Sequence, residues 1–144
     1  MTMGSLGYGD VFLRLGAAVL VGALIGLDRE IRDKPAGLRT MALVSLGSAV
    51  FVLTTLGGGF GDPTSRVIQG IVTGVGFLGA GTIIRGQTEQ SVRGLTTAAS
   101  IWLSSAIGIA CGLALWPLVV MGTLLGLLIL VFEPFERWIK ARIQ

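Results

Sequence analysis

The stretch Gly94–Phe132, GLTTAASIWLSSAIGIACGLALWPLVVMGTLLGLLILVF, contains no charged side chain. A single helix of about 39 residues would reach roughly 58 Å at 1.5 Å per residue, nearly twice the ~30 Å hydrocarbon core of a bilayer. The stretch must therefore fold back on itself. Gly108-Ile109-Ala110-Cys111-Gly112 is the expected weak point, and Pro117 suits the first turn of a following helix. This predicts one helix over about 92–108 and another over about 113–132.

Three further apolar runs precede it. Val11–Leu27 is interrupted only by Arg14, and Met41–Leu56 is followed by the turn Gly57-Gly58-Gly59. Val67–Ile84 opens after Asp62-Pro63-Thr64-Ser65, with Asp62 read as N-cap and Pro63 at the first helical position. A polar gap, Arg85–Arg93, then leads into the long run. The fold class expected is all-α, a polytopic membrane protein of five transmembrane helices over residues 1–132.

Composition agrees. Of 144 residues, 52% are hydrophobic and 13% charged, and the mean hydropathy is +0.82. A soluble domain carries nearer a quarter charged residues, so this chain cannot offer an ordinary wetted surface. The net charge of +3 does not point to nucleic acid, because the basic residues form no stripe with interleaved aromatics. They sit in short gaps between apolar runs. Arg29, Arg32, Lys34, Arg39, Arg85, Arg93, Arg137, Lys140 and Arg142 share one side of a five-helix topology, and Arg14 and Arg66 the other. Positive loops stay inside, so the amino-terminus is expected outside and the carboxy-terminus in the cytoplasm of an inner (plasma) membrane.

Residues 1–10 carry only Asp10 as a charge. With no positive n-region, a cleaved signal peptide is not expected. At the other end, Phe132, Phe135, Trp138 or Ile139, and Ile143 recur at helical spacing with charges between them. Residues 133–144 therefore read as an interfacial amphipathic tail. Histidine is absent and Cys111 is the one cysteine, which removes the commonest general base, any internal disulfide and any thiolate metal cluster. No enzyme activity, cofactor or metal is expected.

Glycine accounts for 23 residues, more than twice ordinary usage. GxxxG pairs fall at Gly22/Gly26, Gly70/Gly74, Gly108/Gly112 and Gly122/Gly126. Between helices in lipid, close backbone approach supplies what the hydrophobic effect does not, so these mark packing faces, within one subunit or between subunits. The third helix adds Gly76, Gly79 and Gly81. Its Gln69, Thr73, Gly76 and Ala80 share a face at 100° per residue, and Arg93, Thr97, Ser100 and Ser104 line the fourth helix. The two polar lines are expected to face each other, since a polar group in lipid needs a partner.

Between the first two helices runs a charged elbow, Gly26-Leu27-Asp28-Arg29-Glu30-Ile31-Arg32-Asp33-Lys34-Pro35-Ala36-Gly37-Leu38-Arg39-Thr40. Asp28 and Glu30 follow an apolar run and need cationic partners, for which Arg39, Arg85 and Arg93 are the candidates. A solvated anchor loop, acid–base chemistry and a hard-cation site are the other readings, the last opposed by the surrounding basic charge.

These segments resemble the MgtC/SapB family. The matching blocks are Gly22–Glu30 with Ala36–Thr40, the glycine helix Gly70–Gly81, Val92–Trp102 and the turn Ile107–Gly112, in family order. The resemblance implies five inner-membrane helices. It implies a regulator rather than a transporter, tied to magnesium limitation and virulence, and acting on the F-type ATP synthase, membrane potential or phosphate uptake. Many members continue into a cytoplasmic ACT-like domain; this sequence stops at Gln144 before any such domain, naturally short or cut from a longer chain, so functions assigned to that domain are not carried over. The motif positions it carries over are Arg29, Glu30, Arg39, Thr40, Gln69, the glycines through Gly81, Arg93, Thr96, Thr97, Trp102 and Cys111. Together with Asp28 and Arg85, the polar ones form the expected partner or ion site. Gly22, Gly26, Gly70, Gly74, Gly76, Gly79, Gly81, Trp102, Gly108, Cys111 and Gly112 are the expected packing set. Partners expected are the lipid bilayer, a membrane protein such as the ATP synthase, and a second copy of the chain. The alternative is a small channel or transporter for magnesium or another ion, with a broken third helix and the elbow as its pathway.

Overall fold

The computed structural model describes residues 6–56, 62–85, 92–132 and 142. Among them are five helices: α1 (Tyr8–Ile31), α2 (Leu38–Thr55), α3 (Asp62–Ala80), α4 (Leu95–Gly112) and α5 (Trp116–Val131). A short antiparallel ladder, β1 (Ile84–Arg85) with β2 (Val92–Arg93), pairs Ile84 with Arg93 and closes the α3–α4 connection. The turn Gly57-Gly58-Gly59 and the amphipathic tail over 133–141, 143 and 144 lie outside the described residues.

The fold is all-α in its core, as the apolar runs predict. Helices α1, α2 and α4 are each long and apolar enough to cross a membrane, and α5 is a shorter apolar helix. Helices α1, α2 and α4 form a mutually packed trio; α3 lies against α4 and α2, and α5 against α4 and α1. Ala18, Ile25, Met41, Ala49 and Cys111 are fully buried at the centre.

Polarity runs inside out. Ser45, Ser48, Thr97, Ser100, Ser104 and Ser105 are buried, whereas Phe12 and Phe77 are 79% and 82% exposed. Buried hydroxyls join the helices: Ser48 Oγ and Ser105 Oγ lie 2.8 Å apart, and Ser104 Oγ donates to the Met41 carbonyl at 2.9 Å. An apolar exterior over a hydroxyl-lined interior suits lipid as solvent, where a polar side chain must find its partner within the protein.

Several expected boundaries shift. The break in the long run falls at Leu113-Ala114-Leu115, beyond the Gly108–Gly112 segment, which is the last turn of α4. Those two glycines serve contact instead: a Cβ on Gly108 would overlap the Ser45 backbone, and one on Gly112 would lie 2.9 Å from the Ala49 carbonyl oxygen. Helix α4 ends where Leu115 N–H bonds the Ala110 carbonyl and Ala114 N–H the Cys111 carbonyl, with Ala114 in the left-handed region at φ 56°. That is a Schellman closure built on alanine rather than glycine. Helix α1 ends the same way, with Lys34 N–H on the Arg29 carbonyl, Asp33 N–H on the Glu30 carbonyl and Asp33 at φ 51°. Asp28, Arg29 and Glu30 therefore sit on the last turn of α1, not in a loop. Pro117 does lie in the first turn of α5. Helix α3 begins at Asp62 itself and stops at Ala80, short of Ile84.

Candidate functional site

Two buried arginines fix α1 against α4. Arg14 is 5% exposed and Arg29 1% exposed. The Arg14 Nη1 donates to the Gly112 carbonyl at 2.8 Å, and its Nη2 lies 2.8 Å from Asp10 Oδ2. Arg29 Nη2 donates to Thr97 Oγ1. On each helix the two attachment points are the same distance apart, about 22 Å at 1.5 Å per residue. The helices run antiparallel and are pinned at both ends.

The two ends differ electrostatically. At Gly112 the guanidinium meets the carbonyl end of α4, where the helix dipole favours a cation. At Thr97 the guanidinium meets the amino end, where the dipole opposes it. Gly94, the N-cap there, has φ 92°, and no side chain caps the first turn. Its left-handed backbone and its overlap with the Thr82 carbonyl, were a Cβ present, both require glycine.

Around this amino end is a pocket of about 530 Å³ lined by Arg29, Lys34, Pro35, Thr82, Arg93, Gly94, Thr96 and Thr97. Of the expected polar cluster, it gathers Arg29, Arg93, Thr96 and Thr97. The expected carboxylate–arginine clamp takes a different form. Asp28 Oδ1 accepts from Arg32 Nε at 2.9 Å, one turn along the same helix. Glu30 Oε2 accepts from the Leu38 N–H at 3.0 Å, placing its charge at the amino end of α2. Gly37 gives it room, since a Cβ there would overlap the carboxylate. Arg39 and Thr40 are exposed on the first turn of α2, Gln69 is exposed on α3, and the Arg85 side chain lies outside the described residues.

The two polar lines do not face each other. Thr97 and Ser104 turn to α1 and α2, whereas the Thr73 hydroxyl bonds the Gln69 carbonyl of its own helix on an exposed face. Nor is α3 broken: it is continuous from Asp62 to Ala80. Of the packing set, Gly22 and Gly26 lie where a Cβ would come 2.5 Å from the Met41 carbonyl oxygen and the Leu38 Cα. Gly79 has ordinary contact space against Ala98, and Gly81 meets only atoms of its own turn. Cys111 is buried, and Trp102 is half exposed. At Gly70, Gly74 and Gly76 an added Cβ would meet none of the described residues within 4 Å. Gly70 and Gly74 instead line an apolar groove of about 700 Å³ between α2 and α3, with Gly47, Phe51, Val67 and Leu78 among its walls.

Sequence reasoning missed Lys34, Thr82 and the bridging role of Arg14. An arginine inside an apolar run demands an internal partner, and Asp10 one turn before it was the visible clue. Thr82 gave no signal of its own, because its position depends on the β1–β2 ladder.

An apolar-coated bundle with buried hydroxyls, and with arginines that bond inward to α4, defines a membrane protein. Comparison with known proteins narrows the class: the MgtC family model matches residues 15–138. The chain is 46% identical to Protein SrpB of Synechococcus elongatus, over 88% of this chain and 78% of that protein. It is 52% identical to Protein MgtC of Salmonella typhimurium and 49% identical to Protein MgtC of Brucella abortus, in each case over 70% of this chain and 42% of the relative. The chain belongs to the MgtC family. It spans less than half the length of the MgtC proteins it matches. No solved structure matches it.

Proposed function

We propose that this chain is a non-enzymatic regulatory protein of a bacterial inner membrane, crossing it several times, which acts by receiving a transmembrane helix of another membrane protein in the α2–α3 groove. The carrying observation is the glycine face of α3, which no described residue approaches. Glycine costs a helix roughly 0.5–1 kcal/mol relative to alanine, and in lipid its return is close approach by another backbone. Among the described residues Gly70 and Gly74 have no such neighbour.

The shape favours a foreign helix over a second copy. A two-fold interface sets the same surface against itself, so two concave grooves would face one another and leave their space unfilled. A single convex helix fills one. One wall of the groove is the middle of α2, a helix long and apolar enough to span, so the groove lies at membrane depth. The F-type ATP synthase, which the family resemblance points to, is the first partner to test.

A photo-reactive residue at Phe51 or Leu78 in native membranes should give an adduct whose mass-spectrometric map falls in a transmembrane segment of another protein. Gly74→Leu should abolish that adduct. Adducts confined to lipid, or to a second copy of the chain, would overturn the reading.

A further inference from the structure

The pocket at the amino end of α4 has no part in the groove reading, and its chemistry is of another kind. We propose that it binds a phosphate group, held between Arg29, Lys34 and Arg93 and the first turn of α4.

Three cations line the pocket, and no carboxylate does among the described residues. The acids flanking Arg29 in the chain are engaged elsewhere, Asp28 with Arg32 and Glu30 with the α2 amino end. Arg29 is only 1% exposed, so its charge is screened little by solvent. It stands at the positive end of an 18-residue helix whose first turn lacks a side-chain cap. Cation, helix dipole and neighbouring cations add with one sign, and an anion relieves all of them together. Arg29 and Lys34 both have partners. What selects the ligand is therefore the summed field and not a spare donor.

The remaining lining suits a tetrahedral oxyanion. Thr82, Thr96 and Thr97 line the same wall. The Thr82 hydroxyl already donates to the Gly79 carbonyl at 2.8 Å, so the hydroxyl donors there are Thr96 and Thr97. Thr97 Oγ1 accepts from Arg29, which leaves its O–H proton to donate. Planar guanidinium forks, hydroxyls and helix-start amides are the usual phosphate donors. Gly94 allows the Thr82 turn to close over the helix start, which keeps this wall together. The space, about 530 Å³, exceeds a bare phosphate and admits an esterified one with water.

Two sources share that chemistry, free phosphate from the cytoplasm and the headgroup of an anionic lipid at the membrane surface. Protein in maltoside micelles, which carry no phosphate, separates them. One arm titrates inorganic phosphate by calorimetry. The other measures retention of phosphatidic acid and phosphatidylglycerol against phosphatidylcholine by native mass spectrometry. At least one arm should show saturable binding that Arg93→Gln and Lys34→Gln each weaken about tenfold or more. Arg39→Gln, exposed on the same end of the bundle, should leave binding unchanged. Arg93 is itself exposed, so its replacement spares the fold, and an unchanged melting temperature checks that. Absence of saturable binding in both arms overturns the proposal, as does binding that ignores Arg93→Gln and Lys34→Gln or falls equally with Arg39→Gln. Neither outcome bears on the groove.

Discussion

Gly22/Gly26 on α1 and Gly70/Gly74 on α3 are the same motif at the same spacing, and they sit in opposite surroundings. At the first pair the α2 backbone approaches so closely that an added Cβ would come 2.5 Å from Met41 O and Leu38 Cα. At the second pair no described residue lies within 4 Å of the equivalent position. One pair has been consumed in building the α1–α2–α4 trio. The other remains as an unfilled contact face on a helix outside that trio. A glycine stripe thus signals that a backbone comes close, without saying whether it belongs to the same chain.

The sharpest way to break this contrast is one substitution made at both pairs. Gly22→Ala must push α2 away from α1, and backbone atoms do not yield as side chains do. Its cost should reach or exceed the top of the ~1–3 kcal/mol range for overpacked cores. Gly74→Ala meets nothing and gains helix propensity, so it should stabilise the isolated protein by roughly 0.5–1 kcal/mol. Thermal unfolding in maltoside micelles should show melting temperatures moving in opposite directions. Two variants moving the same way would mean that the two faces are not different in kind.

That sign difference also explains what could be read from the sequence. Charge-free runs and their lengths give the helices, because a hydrocarbon core leaves few alternatives. Gly108 and Gly112 looked like a break because glycine weakens a helix. In place, the approach of α2 at Ser45 and Ala49 holds them helical, and this is a tertiary fact that no local pattern carries. The elbow residues were recognisable as a polar cluster, but their pairings were not. Glu30 reaches the amino end of α2 only because Gly37 leaves room, and Thr97 meets Arg29 only once α1 and α4 are antiparallel. The lining of the anion pocket by Thr82 required the β1–β2 ladder, which the polar gap Arg85–Arg93 did not announce.

If the trio is the consolidated part of the molecule, its electrostatic pin should matter more than charges elsewhere. Arg14→Met keeps the length and apolar stem but removes the donor to Gly112 and leaves Asp10 without its cation. Hydrogen bonds from charged groups contribute about 1.5–3 kcal/mol, and a loss of that size is expected. Arg93→Met, at an exposed position, should change stability by less than about 0.5 kcal/mol. Equal losses in the two variants, read by the same unfolding measurement, would place Arg14 outside the structural core.

The smallest effect concerns where glycine is missing. Ala114 closes α4 with φ 56°, a conformation in which a Cβ crowds the following carbonyl oxygen at a cost of roughly 1–2 kcal/mol. Glycine adopts it without that cost but loses more freedom on folding, which returns up to about 1 kcal/mol of the gain. Ala114→Gly should therefore raise stability slightly, by no more than about 1 kcal/mol, and leave partner adducts in the groove unchanged. A fall in melting temperature would show that the Ala114 methyl makes a contact worth more than the strain it causes. In that case glycine would be absent from this turn for the same reason that it is present at Gly22, the identity of what lies one van der Waals radius away.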